Sequence, residues 1–305
     1  MVPIVPAAER VLNQSFTVGP ECSVAVDLYR GGIVVEESDE PGIRVLVRLE
    51  NKLDDERESN RALESVKVEL TRDGSDRVLV KVRNPAAAAP HFAWRDRSEV
   101  EVAVLVSVPR RCNLNLVTVT GSIQVGNLTG AMRARAETGT VSFRHIDGSV
   151  NALVAVGDLL VARCSRDATL TASRGNVRVG TIGGRAELNA SNGDIEIQNA
   201  KGGLRGRVEA GDAIIGLPAG FTGDVDVRTS AGDVLVKFEQ PAKGVVQASS
   251  VWGRVEAAMP MAVEAGGSGK SKLSGRINGG GPLLKLHANG GHIRLQAEAP
   301  PLETR

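Results

Sequence analysis

The sequence predicts an all-β protein: a parallel β-solenoid (β-helix or β-roll) with 18-residue coils, two strands per coil and one short inserted helix near the N-terminus. Three observations predict it. First, Gly121, Gly139, Gly157, Gly175, Gly193 and Gly211 recur every 18 residues, and Gly130, Gly148, Gly184, Gly202 and Gly220 lie nine residues out of phase. Of the twelve positions reached by steps of nine from 121 to 220, only Arg166 is not glycine. A fixed period of this kind marks a repeat architecture. Second, apolar residues between the glycines fall in columns and alternate with polar ones. Ile123, Val141, Leu159, Val177 and Ile195 form one column, and Gln124, Ser142, Arg178 and Glu196 occupy positions beside it. Period-two alternation is that of a strand with one buried face. Third, aromatic residues make up only 3% of the chain, as suits a narrow interior filled by Val, Ile, Leu and Ala.

Equal coils stack in register, so successive strands run parallel about 4.8 Å apart and each coil contacts its neighbours. A nine-residue half-coil must reverse within a few residues, which predicts φ > 0 at the turn glycines. From Gly211 to Gly232 the step is 21 residues. A bulge over Pro218 to Thr222 absorbs the difference.

In chain order, residues 1–15 read as an unstructured lead-in and 16–110 as N-terminal coils and cap. Ser23 to Tyr29, Ile33 to Val35 and Ile43 to Leu49 alternate as strands of a first coil. Residues 53–64 break the pattern: Asp55 with Glu58 resembles a capping box, and Ala62, Leu63 and Val66 form a short apolar stripe, which predicts the helix. Two strands around the turn Asp73-Gly74 follow, then an irregular loop from Asn84 to Arg97 and a strong strand from Val100 to Val108. Residues 111–240 are the regular solenoid, 241–297 the C-terminal coils and cap, and 298–305 a tail. Ala265 to Lys272 reads as a flexible loop.

The chain has 305 residues, with 37 basic and 36 acidic side chains and a net charge of +1. Nothing in that balance points to nucleic acid. No apolar run is long enough for a membrane span. The first nine residues lack the basic and apolar regions of an intact signal peptide, which predicts either a cytoplasmic protein or a leader absent from this chain. The three cysteines, Cys22, Cys112 and Cys164, are odd in number and show no metal-ligand spacing. Cys164 falls in a core column and reads as a small buried apolar residue.

The residues after the first-phase glycines form a polar ladder: Ser122, Thr140, Asp158, Asn176, Asp194, Asp212 and Asp233. Their first reading is that of turn caps. A calcium ladder and a pair of catalytic carboxylates such as Asp194 and Asp212 are the alternatives, and no basic column completes an active site beside them. No catalytic, metal or cofactor site is therefore expected. Arg133, Arg135, Arg205 and Arg207 project from the second half-coil, either as a solvated face with Glu187 or as a surface for an anionic glycan. Phe92 and Trp94, beside His91, are the one aromatic cluster outside a strand, either a flap on the N-terminal coil or a partner-binding patch. Gly266 to Ser271 departs from a phosphate loop, because Glu264 stands where its first glycine is needed. His145, His287 and His292 have no Ser or Cys partner identifiable from sequence.

Val104-Leu-Val-Ser-Val-Pro109 leading into Thr118-Val-Thr-Gly-Ser-Ile123, with the units Gly157-Asp158-Leu159, Gly193-Asp194-Ile195 and Gly232-Asp233-Val234, resembles a bacterial putative-adhesin family of unknown function built from glycine-containing β-strand repeats, akin to GIN domains. The resemblance covers residues 20–296. It implies a non-catalytic scaffold or adhesin-like binding protein outside the cytoplasm, in the periplasm or at the cell surface, with a cell-surface, glycan or protein ligand. The alternatives are a polysaccharide-acting lyase or hydrolase, since such enzymes also use parallel β-helices, and a calcium-binding repeat protein.

Overall fold

A computed structural model describes residues 8–19, 22–51, 53, 55–84 and 100–298. The chain divides into two compact units, Met1–Ser142 and Phe143–Arg305. Both are built from parallel β-coils with alternating buried and outward side chains, and the one helix among the described residues lies in the first.

The first unit holds β1 (Ala8–Phe16), β2 (Ser23–Arg30), β3 (Gly32–Glu37), β4 (Ile43–Asn51), α1 (Glu56–Ser65), β5 (Lys67–Asp73) and β6 (Arg77–Arg83). After these come β7 (Val100–Val108), β8 (Asn113–Thr120), β9 (Ile123–Val125), β10 (Leu128–Thr129) and β11 (Met132–Thr138). Strands β2 and β3 make the first coil. It stacks in register on β8 and β9, with Val26 opposite Leu116 and Ile33 opposite Ile123. Its far side is covered by later strands. β6 runs parallel to β2, with β5 antiparallel beyond it. β7 runs parallel to β3, followed by antiparallel β4 and β1. Asp55 caps α1 by accepting from the amides of Arg57 and Glu58 at 2.8 and 3.1 Å, and the helix buries Ala62 and Leu63.

The lead-in expected over residues 1–15 is corrected here. Residues 8–15 belong to β1, paired with β4 from Ala8–Asn51 to Phe16–Ile43; residues 1–7 lie outside the described ones. Backbone hydrogen bonds to β4 hold β1. Of its side chains only Phe16 is buried, so the strand carries no alternation for a reader of the sequence to find.

The chain passes between units within β12 (Val141–Asp147). In the second unit the coils are β13 (Val150–Val156) with β14 (Leu159–Cys164), β15 (Ala168–Arg174) with β16 (Val177–Ile182), β17 (Ala186–Asn192) with β18 (Ile195–Ala200), β19 (Leu204–Ala210) with β20 (Ala213–Leu217), and β21 (Val225–Ala231) with β22 (Val234–Glu239). Each strand pairs with its equivalent one coil on. Leu159, Val177, Ile195, Ala213 and Val234 thus form one continuous buried column. The 21-residue step leaves the register intact: Leu204 still faces Val225. The extra residues bury Phe221, whose ring lies 6.5 Å from that of Phe238.

The two glycine series do different work. The first-phase glycines from Gly121 to Gly232 hold φ between +134° and +146°. In the second series only Gly130 has positive φ, so the expectation of φ > 0 fails there. Gly202 is instead a close approach: a Cβ would stand 2.3 Å from the carbonyl oxygen of Gly184. At Gly220 a Cβ would meet nothing within 4 Å.

The chain end folds back. After β23 (Gly244–Ser250), β24 (Val255–Ala258), β25 (Ala262–Gly269) and β26 (Lys272–Ile277) come β27 (Leu283–Ala288) and β28 (Ile293–Glu298). The last two insert beneath the strands that precede them: β27 lies between β21 and β23, and β28 between β22 and β24. Their side chains explain the order. Leu284, Leu286, Ala288, Ile293 and Leu295 are all buried, whereas β25 is exposed along nearly its whole length and suits a sheet edge. The flexible loop expected over 265–272 is corrected to a β25–β26 hairpin with a bulge between Val263 and Ser268.

Candidate functional site

The polar ladder is inter-coil. In the second unit Asp158 Oδ1 accepts the amide of Asn176 at 2.8 Å, Asn176 Oδ1 that of Asp194 at 2.9 Å, and Asp212 Oδ1 that of Asp233 at 2.7 Å. Asp233 in turn accepts from the His292 amide at 2.7 Å, and His292 Nδ1 from the Arg254 amide at 3.0 Å. Each carboxylate therefore stitches its coil to the next. Among the described residues, no three His, Cys, Asp or Glu side chains are grouped to hold a metal ion.

The outward face of the sheet containing β17, β19, β21, β27, β23 and β26 carries two polar rows. Register places Glu187, Arg205, Asp226, Lys285, Gln247 and Ser274 in one row. Asn189, Arg207, Arg228, His287, Ser249 and Lys272 form the other. Arg205 and Arg207, singled out by the sequence, belong one to each row. The first row alternates in charge, whereas the second contains no acid. Arg228 grips Asp226 with two hydrogen bonds of 3.0 and 3.1 Å, and this contact raises the arginine pKa above its usual value.

Toward the β25–β26 edge of this face lies a cleft of 540 Å³ lined by Arg228, Ser249, His287, Lys272, Ser274 and Lys285 among others. Gly267 lets the two strands of the hairpin approach each other at the bulge: a Cβ there would stand 2.7 Å from the Ser274 carbonyl oxygen. Inside, Ser249 Oγ lies 3.0 Å from His287 Nδ1, and His287 Nε2 lies 2.9 Å from Asn289 Oδ1. An amide oxygen only accepts, so Nε2–H donates to Asn289. A second cleft of 360 Å³, sharing Asp226, is lined by Arg185, Glu187, Arg205 and Asp224. Sequence reading found neither cleft; in the larger one Ser249 stands 38 residues from its partner His287.

The model of the Toastrack DUF4097 family matches residues 26–296. The chain belongs to this family. No curated protein matches the Toastrack chain. Among solved structures it is similar to a "putative lipid binding protein" from Parabacteroides distasonis, at 11% identity and TM-score 0.46, with 95% of this chain and 97% of that one covered. It is also similar to "putative adhesins" from Bacteroides fragilis (9% identity, TM-score 0.43) and Parabacteroides merdae (10%, 0.34), each with 95% of this chain and 97% of that one covered.

The remaining expected positions of the Toastrack chain do not join the clefts. Arg133 and Arg135 are exposed on β11 of the first unit. Phe92 and Trp94 lie outside the described residues. Trp252, unmarked in the sequence reading, is 85% exposed on the turn after β23. Cys164 is buried, and burial pushes its thiol pKa up. Cys22 and Cys112 form a disulfide, which their spacing of 90 residues gave no means of seeing. It staples the entries of the paired strands β2 and β8. No helix among the described residues is long and apolar enough to cross a membrane.

Proposed function

We propose that this Toastrack protein is a non-catalytic, adhesin-like binding scaffold that acts outside the cytoplasm and holds its ligand, a cell-surface glycan or protein, in the cleft beside the β25–β26 hairpin. The cleft is the observation that carries this reading. A row of hydrogen-bond donors lines it. Among the described residues Asp226 is the one carboxylate lining the larger cleft, and it is committed to Arg228, so the two-carboxylate chemistry of glycoside hydrolysis lacks its pair among them. The Cys22–Cys112 disulfide supports the compartment, since disulfides persist in oxidising environments such as the periplasm and cell surface.

Gln247→Trp tests the cleft. The position is outward and lines the cavity, so the ring fills it from above the sheet. Expected is an unchanged thermal melt with lost binding of labelled protein to bacterial cells. Equal cell binding by wild type and variant would remove the cleft from the function.

The smaller cleft favours a second reading. Glu187 and Asp226 flank Arg205 there at two strand spacings, about 10 Å, near the upper end of inverting-glycosidase geometry. Turnover of an acidic polysaccharide, abolished by Glu187→Gln, would move the protein to that class.

A further inference from the structure

The second polar row has a property that the cleft alone does not explain. Arg207, Arg228, His287, Ser249 and Lys272 stand on five successive strands. Strand spacing sets them about 4.8 Å apart, so Arg207 and Lys272 are separated by four spacings, about 19 Å. Every member is basic or a neutral hydrogen-bonding group. Among the described residues, neither Arg207 nor Lys272 makes an ion pair or side-chain hydrogen bond. Lys285, in the adjoining row, also lines the cleft without such a partner among them. Of the acids at this end of the row, Asp226 is paired with Arg228, and Glu264 accepts from Ser274 and lies beside Arg276.

We propose that this row binds a linear anionic glycan, laid across the strands from Arg207 into the hairpin cleft; the proposal rests on the binding reading above and names its ligand class. The ligand must be extended, because the cations follow one line. It must be rich in acceptor oxygens, because Lys272, Lys285 and Arg228 only donate. A carboxylate or sulfate on each sugar recurs at a spacing of the same order as the strands. Among the described residues none of those lining the cleft is Phe, Tyr or Trp, so the large stacking platforms that hold bases or neutral sugar faces are missing there, which favours an acidic glycan over single-stranded nucleic acid.

The test titrates the folded protein with polygalacturonate, dextran sulfate, neutral dextran and single-stranded DNA by affinity electrophoresis, at low and high salt. Expected is retardation by one or both acidic glycans, weakened several-fold by raised salt as screening predicts, and none by neutral dextran. Preference between the first two separates carboxylate from sulfate recognition. The double variant Arg207→Gln, Lys272→Gln should weaken binding tenfold or more, while Arg133→Gln, Arg135→Gln, on the first unit, should not change it. Equal binding of neutral dextran, tighter binding of DNA, or equal loss in both double variants overturns the proposal. If cells bind through the cleft but no acidic glycan does, the ligand class fails and the cleft reading stands.

Discussion

Asp194 Oδ1 accepts the amide N–H of Asp212 at 2.9 Å, one full coil along the chain. The same carboxylate oxygen would stand 2.9 Å from a Cβ on Gly211. The Gly-Asp pair is therefore one device. The glycine leaves room for the side chain of the coil before, and the aspartate ties down the coil after.

That geometry predicts a charge-independent role. Asp194→Asn retains an acceptor oxygen and should leave the melting curve nearly unchanged. Asp194→Ala removes it and should cost about 0.5–1.5 kcal/mol. Calcium at millimolar concentration should not raise the melting temperature, whereas an ion bound at a hundredfold excess over Kd would add about 2.7 kcal/mol. A calcium-dependent rise lost in Asp194→Asn would replace the stitching account with an ion-loaded one.

Gly193 combines both constraints of its series. Its φ is +146°, and a Cβ would meet the Gly175 carbonyl oxygen at 2.1 Å. Gly193→Val should destabilise by more than about 1 kcal/mol, read by denaturant unfolding. A wild-type midpoint for this variant would mean that the coil turn is not as described.

The core columns predict an asymmetry between neighbours. Ile195 is fully buried between Val177 and Ala213, so Ile195→Ala should cost about 2–5 kcal/mol. Glu196 points outward, and Glu196→Ala should change stability by no more than about 0.5 kcal/mol. Similar losses in both would contradict the period-two phase.

The coils were legible because each residue repeats its environment every 18 positions, so a column such as Val177 and Ile195 announces itself several times. The ends were legible only in part. β1 buries little besides Phe16 and leaves no alternation. The insertion of β27 beneath β23 is a choice between equally strand-like segments, decided by which one buries Leu284 and Leu286. The site was least legible. Arg207 was visible in the sequence but Lys272 was not tied to it, and only the crossed order of the last strands puts them in one row. The hydrogen bond between Ser249 and His287 needs that crossing as well.

The cysteines give the last prediction. In the native protein Cys22 and Cys112 are joined and Cys164 is buried, its thiol held above the ordinary value by desolvation. An alkylating reagent should thus label no thiol in the folded, unreduced protein, one after unfolding without reductant, and three after reduction, counted by intact mass. The raised thiol pKa also carries a sign. Folding favours the protonated form, so its contribution is present below the unfolded thiol value, near 8.5, and is lost as pH rises through the higher folded value. Stability should fall over that alkaline range in wild type and fall less in Cys164→Ala. Opening the disulfide frees a 90-residue separation, and Cys22→Ser with Cys112→Ser should cost about 2–4 kcal/mol. The protein as produced by its own cells, acid-quenched before alkylation, decides the compartment. Two oxidised cysteines support action outside the cytoplasm, and three free thiols would refute it.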